Sequence, residues 1–227
     1  MNDIRGITRG HNRNRRRLVI AALLTIVLGM TASPVSSARQ QGTTWIEDRD
    51  AGETLFAAQR VRGTGPLQAI RGDMRRPGPR ADMYKICAGP NFSATTVGGA
   101  SFDTQLFLFD RNGVGLYAND DSQSGVQSTL PAFHPNGPNV RSEYFLAISV
   151  FDKDPKDARG RLIFPTFPFS DVAGRFTDSG PMTGFIKFPG TGGNYRIALE
   201  GAQFLNRFGR CVPQAASVLG SEHVDKG

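Results

Sequence analysis

The sequence predicts an all-β fold, an antiparallel sandwich or barrel. Three observations predict it. About eight short runs alternate apolar and polar residues or are rich in β-branched and aromatic side chains. Gly, Asn and Pro punctuate the intervals between them. After residue 38 no stretch carries a long helical period.

Residues 1–38 read as a signal peptide: a basic start in "RNRRR", an apolar run from Leu18 to Met30, and small residues ending at Ala38. The run falls short of the about 20 residues that a membrane span needs. A retained signal anchor is the rival reading, and Arg15-Arg16-Arg17 is a poor match to a twin-arginine signal. Over the whole chain the formal charge is +7, which suggests a nucleic-acid binder. The first 38 residues hold six arginines and one aspartate of the 27 basic and 20 acidic residues, so 21 and 19 remain, and the excess falls to about +2. The expected product is secreted or periplasmic, meets the membrane only during export, and binds no nucleic acid. No Cys follows the apolar run to carry a lipid, and "ASVLGSEHVDKG" has no apolar tail.

The expected layout is an N-terminal extension over 39–66, a sandwich over 67–213 and a C-terminal tail over 214–227. "WIEDRDAGETLFAAQ" starts as a loop and ends in a short helix or strand. "LQAIRGDM" alternates weakly, and "RRPGPR" is a turn. "DMYKICA" sets Met83, Lys85 and Cys87 on one face and Tyr84 and Ile86 on the other. "NFSATTVG" is β-branched. "TQLFLFD" and "VGLYAN" flank "DRNG", a hairpin turn composition. "VQSTLPAF", "EYFLAISVF" and "NYRIALEGAQF" complete the strands. Cys87 and Cys211 are the only cysteines, and an oxidising compartment favours a disulfide between them, two separate buried thiols being the alternative. His134 and His223 have no metal-ligand spacing.

The segment 152–193 is long, irregular and rich in Phe and Pro. One reading has Ile163, Phe164, Phe167 and Phe169 covering an open end of the sandwich. The other makes Phe164, Phe167 and Phe169, with Phe185 and Phe188, an exposed aromatic platform for a polysaccharide or protein. Within the same segment "DKDPKD" reads as a solvated acidic loop or a secondary cation site.

"FDTQLFLFDRNGVGLYANDD" places acids at both outer ends of a hairpin. A four-residue loop puts Asp103 opposite Asp120, and a two-residue Asn112-Gly113 turn puts Asp103 opposite Ser122. Either way acids gather at the strand ends far from the turn. Like charges there are destabilising, and a hard cation with oxygen ligands removes that cost. Asp103, Asp120 and Asp121 are therefore the candidate metal ligands, calcium the candidate ion, and ordinary turn and edge roles the alternative. Asp110 is a weaker candidate because it lies at the turn end. The partial match of Asp110, Asn112, Gly115 and Asp121 to an EF-hand loop fails, because Val114 offers no ligand and the flanks are strands.

The order "ADMYKI", "FDTQLFLFDRNGVGLYANDDS", "SEYFLAIS", "GGNYRIALEG" resembles the bacterial pre-peptidase C-terminal domain family, over about residues 67–201. The residues that carry the likeness are Asp82 and Tyr84, the series Asp103, Leu106, Leu108, Asp110 and Gly113, then Asp120, Asp121, Tyr144 and Tyr195. The resemblance implies a jelly-roll β-sandwich, a non-catalytic role beside secreted enzymes and, from related collagenase modules, calcium and collagen binding. The insertion over 152–193 departs from the family's pattern. No Gly-x-Ser-x-Gly, His-Glu-x-x-His or phosphate-binding glycine loop is present. The expected function is a non-catalytic binding or accessory module, with a purely structural envelope protein as the rival.

Overall fold

A computed structural model describes residues 39–75, 80–186 and 190–212. The expected signal peptide, the expected tail over 214–227 and Phe188 lie outside the described residues. The described residues are all-β. Early strands are β1 (Arg39–Gln41), β2 (Thr44–Ile46), β3 (Gln59–Arg60), β4 (Ala69–Asp73) and β5 (Ala81–Thr95). The middle of the chain forms β6 (Thr104–Phe109), β7 (Gly115–Asn119), β8 (Thr129–Leu130) and β9 (Ser142–Val150). The insertion and the last strand give β10 (Pro155–Asp157), β11 (Ala173–Gly174), β12 (Met182–Phe185) and β13 (Asn194–Gln203).

Among the described residues eleven strands form one sheet in the order β1-β2-β4-β13-β5-β9-β6-β7-β11, with β3 and β8 also pairing β5. Its main ladders are antiparallel, and β2 on β4 and β3 on β5 are parallel. "DMYKICA" and "NFSATTVG", expected as two strands, are one strand of 15 residues. This strand bends where residues 89–92 stand against Gly201 alone, a bulge that Gly201 accommodates at φ +64°. The two halves of β5 serve different ladders, 81–88 with β9 and 94–95 with β8, within a β-sandwich. Segment 39–66, read as an extension, supplies strands to the same sheet through β2 and β3.

The alternation of β5 is the one that its sequence predicts. Tyr84 and Ile86 enter the inner core with Ile70, Leu106, Leu108, Leu146, Ile148 and Ile197. Met83 faces the other way, into a second cluster with Phe107, Phe109 and Phe145. Ile163, Phe164, Met182 and Phe185 of the insertion complete that cluster, and β10 and β12 form a small sheet of their own. The insertion thus covers an outer face of the sandwich, where an open end was expected. All six residues of β6 are buried because both faces of the strand are covered.

Two polar fasteners cross this framework. The Tyr195 hydroxyl donates to Asp82 Oδ2 at 2.6 Å and meets the Tyr84 hydroxyl at 2.5 Å, all three being buried. Gly72 is required beneath it, since a Cβ there would strike the Tyr195 hydroxyl. Asp157, read as part of a solvated loop, is buried and accepts from the N–H groups of Arg159, Arg161 and Gly180 and from the Arg161 guanidinium. Burial opposes its charge, but these donors hold its carboxyl well below the usual range. The disulfide joins Cys87 on β5 to Cys211, with a Cα–Cα distance of 5.0 Å.

Candidate functional site

The hairpin of β6 and β7 turns through Asp110, whose Oδ1 accepts from the N–H groups of Asn112 and Val114. That is an Asx turn, and it gives Asp110 a structural role. A bulge at Leu108/Phe109 shifts the register, and beyond it Leu106 faces Asn119, Phe107 faces Ala118 and Leu108 faces Tyr117. Continued outward, this register sets Asp103 level with Ser122, the second of the two expected pairings.

The chain leaves β7 at Asn119, and this side chain shapes the loop beyond the strand. Its Nδ2 donates to the carbonyls of Asp121 (2.8 Å) and Asp171 (3.2 Å), and its Oδ1 accepts from Thr129 N–H at 2.7 Å. Below it, Thr96, Thr104 and Ser128 join through their hydroxyls, fully buried, and tie the 122–128 loop to the sheet. On the opposite side the Phe151 N–H donates to the Asp103 carbonyl, fixing Asp103 at the start of β6.

These constraints bring the three predicted acids together. One carboxylate oxygen from each of Asp103, Asp120 and Asp121 lies within 4.8 Å of the others. Oxygens on opposite sides of a calcium ion stand about 4.6–5.2 Å apart, twice the metal–oxygen distance, so the spacing suits one hard cation. An all-oxygen donor set favours calcium or magnesium over zinc. Oδ1 of Asp103 and Oδ1 of Asp120 are buried without a hydrogen-bond partner. Burial, then the charge of Asp121, pushes the Asp103 carboxyl up to about 6. Burial, then Asp103, Asp121, Asp154 and Asp152, pushes the Asp120 carboxyl up to about 8. With no cation, ionising these groups together is costly.

A second tier of groups adjoins the acids, and of these the sequence indicated only Asp154, within the acidic run read as a solvated loop or a secondary cation site. Asp154 is buried and accepts from Gln105 Nε2 at 3.0 Å, and Gln105 in turn accepts from the Ser149 hydroxyl at 3.0 Å. A cavity of about 20 Å³ between Gln105, Asp120, Asp154 and Phe169 has room for one water-sized occupant. Asn119 and Gln105 are common residue types, and only the folded register shows what they hold.

The aromatic candidates divide. Phe164 is buried, packed 5.7 Å from both Phe107 and Phe109, and Phe185 lies 6.0 Å from Phe107. Both are core residues and offer no platform. Phe167 is 76% exposed and Phe169 39% exposed, and their rings meet edge to face at 5.8 Å. Phe169 also packs on Phe151, and its carbonyl accepts from Asp121 N–H at 2.9 Å. The exposed aromatic pair therefore adjoins the carboxylate cluster, a proximity that no linear spacing indicates. His134 stacks on Tyr117 at 5.2 Å. Among the described residues no helix is long and apolar enough to cross a membrane. No protein-family model, curated protein or solved structure matches this chain.

Proposed function

We propose that this chain is an exported, non-catalytic β-sandwich module whose binding edge is held together by a calcium ion between Asp103, Asp120 and Asp121. The observation that carries the reading is the pair of buried, unpartnered carboxylate oxygens on Asp103 and Asp120, within 4.8 Å of a third carboxylate. A divalent cation would satisfy both oxygens and offset the burial and the repulsion that raise both carboxyls. The site would then be structural first. Asp121 N–H holds the Phe169 carbonyl, so an ordered cation loop would also order Phe167 and Phe169 as a surface for an extracellular polysaccharide or protein. The resemblance to the pre-peptidase C-terminal domain points the same way, as does the leader-like composition of residues 1–38.

Thermal unfolding in EDTA and in calcium tests the reading. A ligand at about 100 times its dissociation constant stabilises by about 2.7 kcal/mol. The expected result is a calcium-dependent rise in Tm that Asp103→Asn and Asp120→Asn both abolish, with each variant at least as stable as wild type in EDTA. A melt indifferent to calcium would leave a structural envelope protein as the better description.

A further inference from the structure

A second region of the surface carries strong charge of the opposite sign. A cleft of about 820 Å³ is lined by Arg60, Lys85, Arg111, Arg141, Arg210 and one acid, Glu143. Pairing brings them together. Arg60 on β3 stands beside Lys85 on β5, Cys87 on β5 faces Glu143 on β9, and Phe109 on β6 faces Phe145. Arg111, just past the end of β6, therefore lies level with Glu143. The disulfide draws Arg210 to the same place.

Glu143 is already engaged. Its Oε2 lies 2.5 Å from Lys85 Nζ, and its Oε1 accepts from Cys211 N–H at 3.3 Å. Burial opposes its charge, but Lys85, the Cys211 amide and Arg210 hold its carboxyl below the usual range. No ion pair to Arg60, Arg111, Arg141 or Arg210 occurs among the described residues. Four guanidinium groups thus line one concave surface whose single carboxylate, Glu143, is already bonded to Lys85, and Arg141 Nε donates to the Val212 carbonyl at 3.2 Å. Such forks bind carboxylate or sulfate groups in pairs of hydrogen bonds.

The cleft continues. Arg111, Ser142 and Glu143 also line a neighbouring groove of about 870 Å³, which adds Asn112, Asn136 and Asn139. Each hollow has the size of an ordinary ligand pocket, and together they make a path for a chain-like ligand. Amide side chains along it suit hydroxyl groups. At the rim Phe208 is 68% exposed, with the Arg207 guanidinium 4.6 Å above its ring. One aromatic face with flanking arginines suits a charged sugar, whereas sequence-independent binding of single-stranded nucleic acid uses several stacking rings. We infer that the cleft formed by Arg60, Arg111, Arg141 and Arg210 binds an acidic polysaccharide, a site separate from the carboxylate cluster and independent of calcium.

Affinity electrophoresis of the full chain through gels containing polygalacturonate, dextran sulfate or neutral dextran tests this, with EDTA present to silence any calcium effect. Expected is retardation by at least one acidic glycan and none by dextran, weakening as salt rises. Arg111→Gln with Arg210→Gln should weaken binding by about tenfold or more. Arg71→Gln with Arg196→Gln removes the same charge from an exposed cross-strand pair on β4 and β13, and should leave binding within about twofold. Absence of retardation by either acidic glycan, equal weakening by both double variants, or tighter binding to duplex DNA or to phosphatidylglycerol vesicles would each overturn the proposal.

Discussion

Asp120 concentrates the chemistry of the candidate site in one residue. Its carboxyl is pushed to about 8 and that of Asp103 to about 6, whereas an unfolded aspartate ionises near pH 4. Between those values the cation-free fold retains protons that the unfolded chain has released. Stability must therefore fall as pH rises from about 4 to about 8. Asp82 acts in the same sense, since burial and the nearby Glu47 push it to about 8 against the Tyr195 hydrogen bond. The informative quantity is a difference. In EDTA, urea unfolding across this range should give a shallower decline for Asp120→Asn than for wild type, and calcium should flatten the wild-type curve alone. Identical slopes would mean that Asp120 titrates normally. The three acids themselves were legible in the sequence, because a hairpin with acids at its open ends gathers them under either register. Asn119 and Gln105 were not legible, and Asp154 stood out only as part of an acidic run, because their partners lie on other strands or in the insertion.

At the scale of elements the insertion does two jobs, and its phenylalanines sort accordingly. Phe164→Ala should destabilise the protein by about 3–5 kcal/mol, because it empties a site packed between Phe107 and Phe109. Phe167→Ala should stay within about 0.5 kcal/mol, as exposed substitutions do. Chemical denaturation separates the two, and equal losses would refute the division. The sequence offered both roles for the same residues and could not assign them, because a Phe/Pro-rich stretch has no period that marks one face as inner. Strands behaved differently. The two faces read from "DMYKICA" are the two faces observed, since a period of two needs no tertiary information. The union of that run with "NFSATTVG" was hidden by Gly89 and Pro90, which read as a break and serve as a bend.

For the whole molecule the disulfide closes a loop of 124 residues, from the middle of β5 to the end of the described chain. In the chain-entropy model such a link stabilises by about 5 kcal/mol. Urea unfolding with and without reductant, alongside the Cys87→Ser, Cys211→Ser double variant, should show a loss of about 2–5 kcal/mol. A loss well under about 1 kcal/mol would place the strength of the fold in its sheet alone. Composition and punctuation made the all-β sandwich legible. The parallel joins of β2 and β3 were not, because strands of two or three residues leave almost no pattern to read.

The central position of β5 also governs when the molecule can form. Its two longest ladders run to β9 and to β13, the last strand among the described residues, which ends at Gln203. A chain still emerging from the ribosome lacks that edge until residue 203 has been made. Pairings between such distant segments also form slowly. Until then one ladder of β5 stays open, so the sandwich closes only after its last described strand arrives.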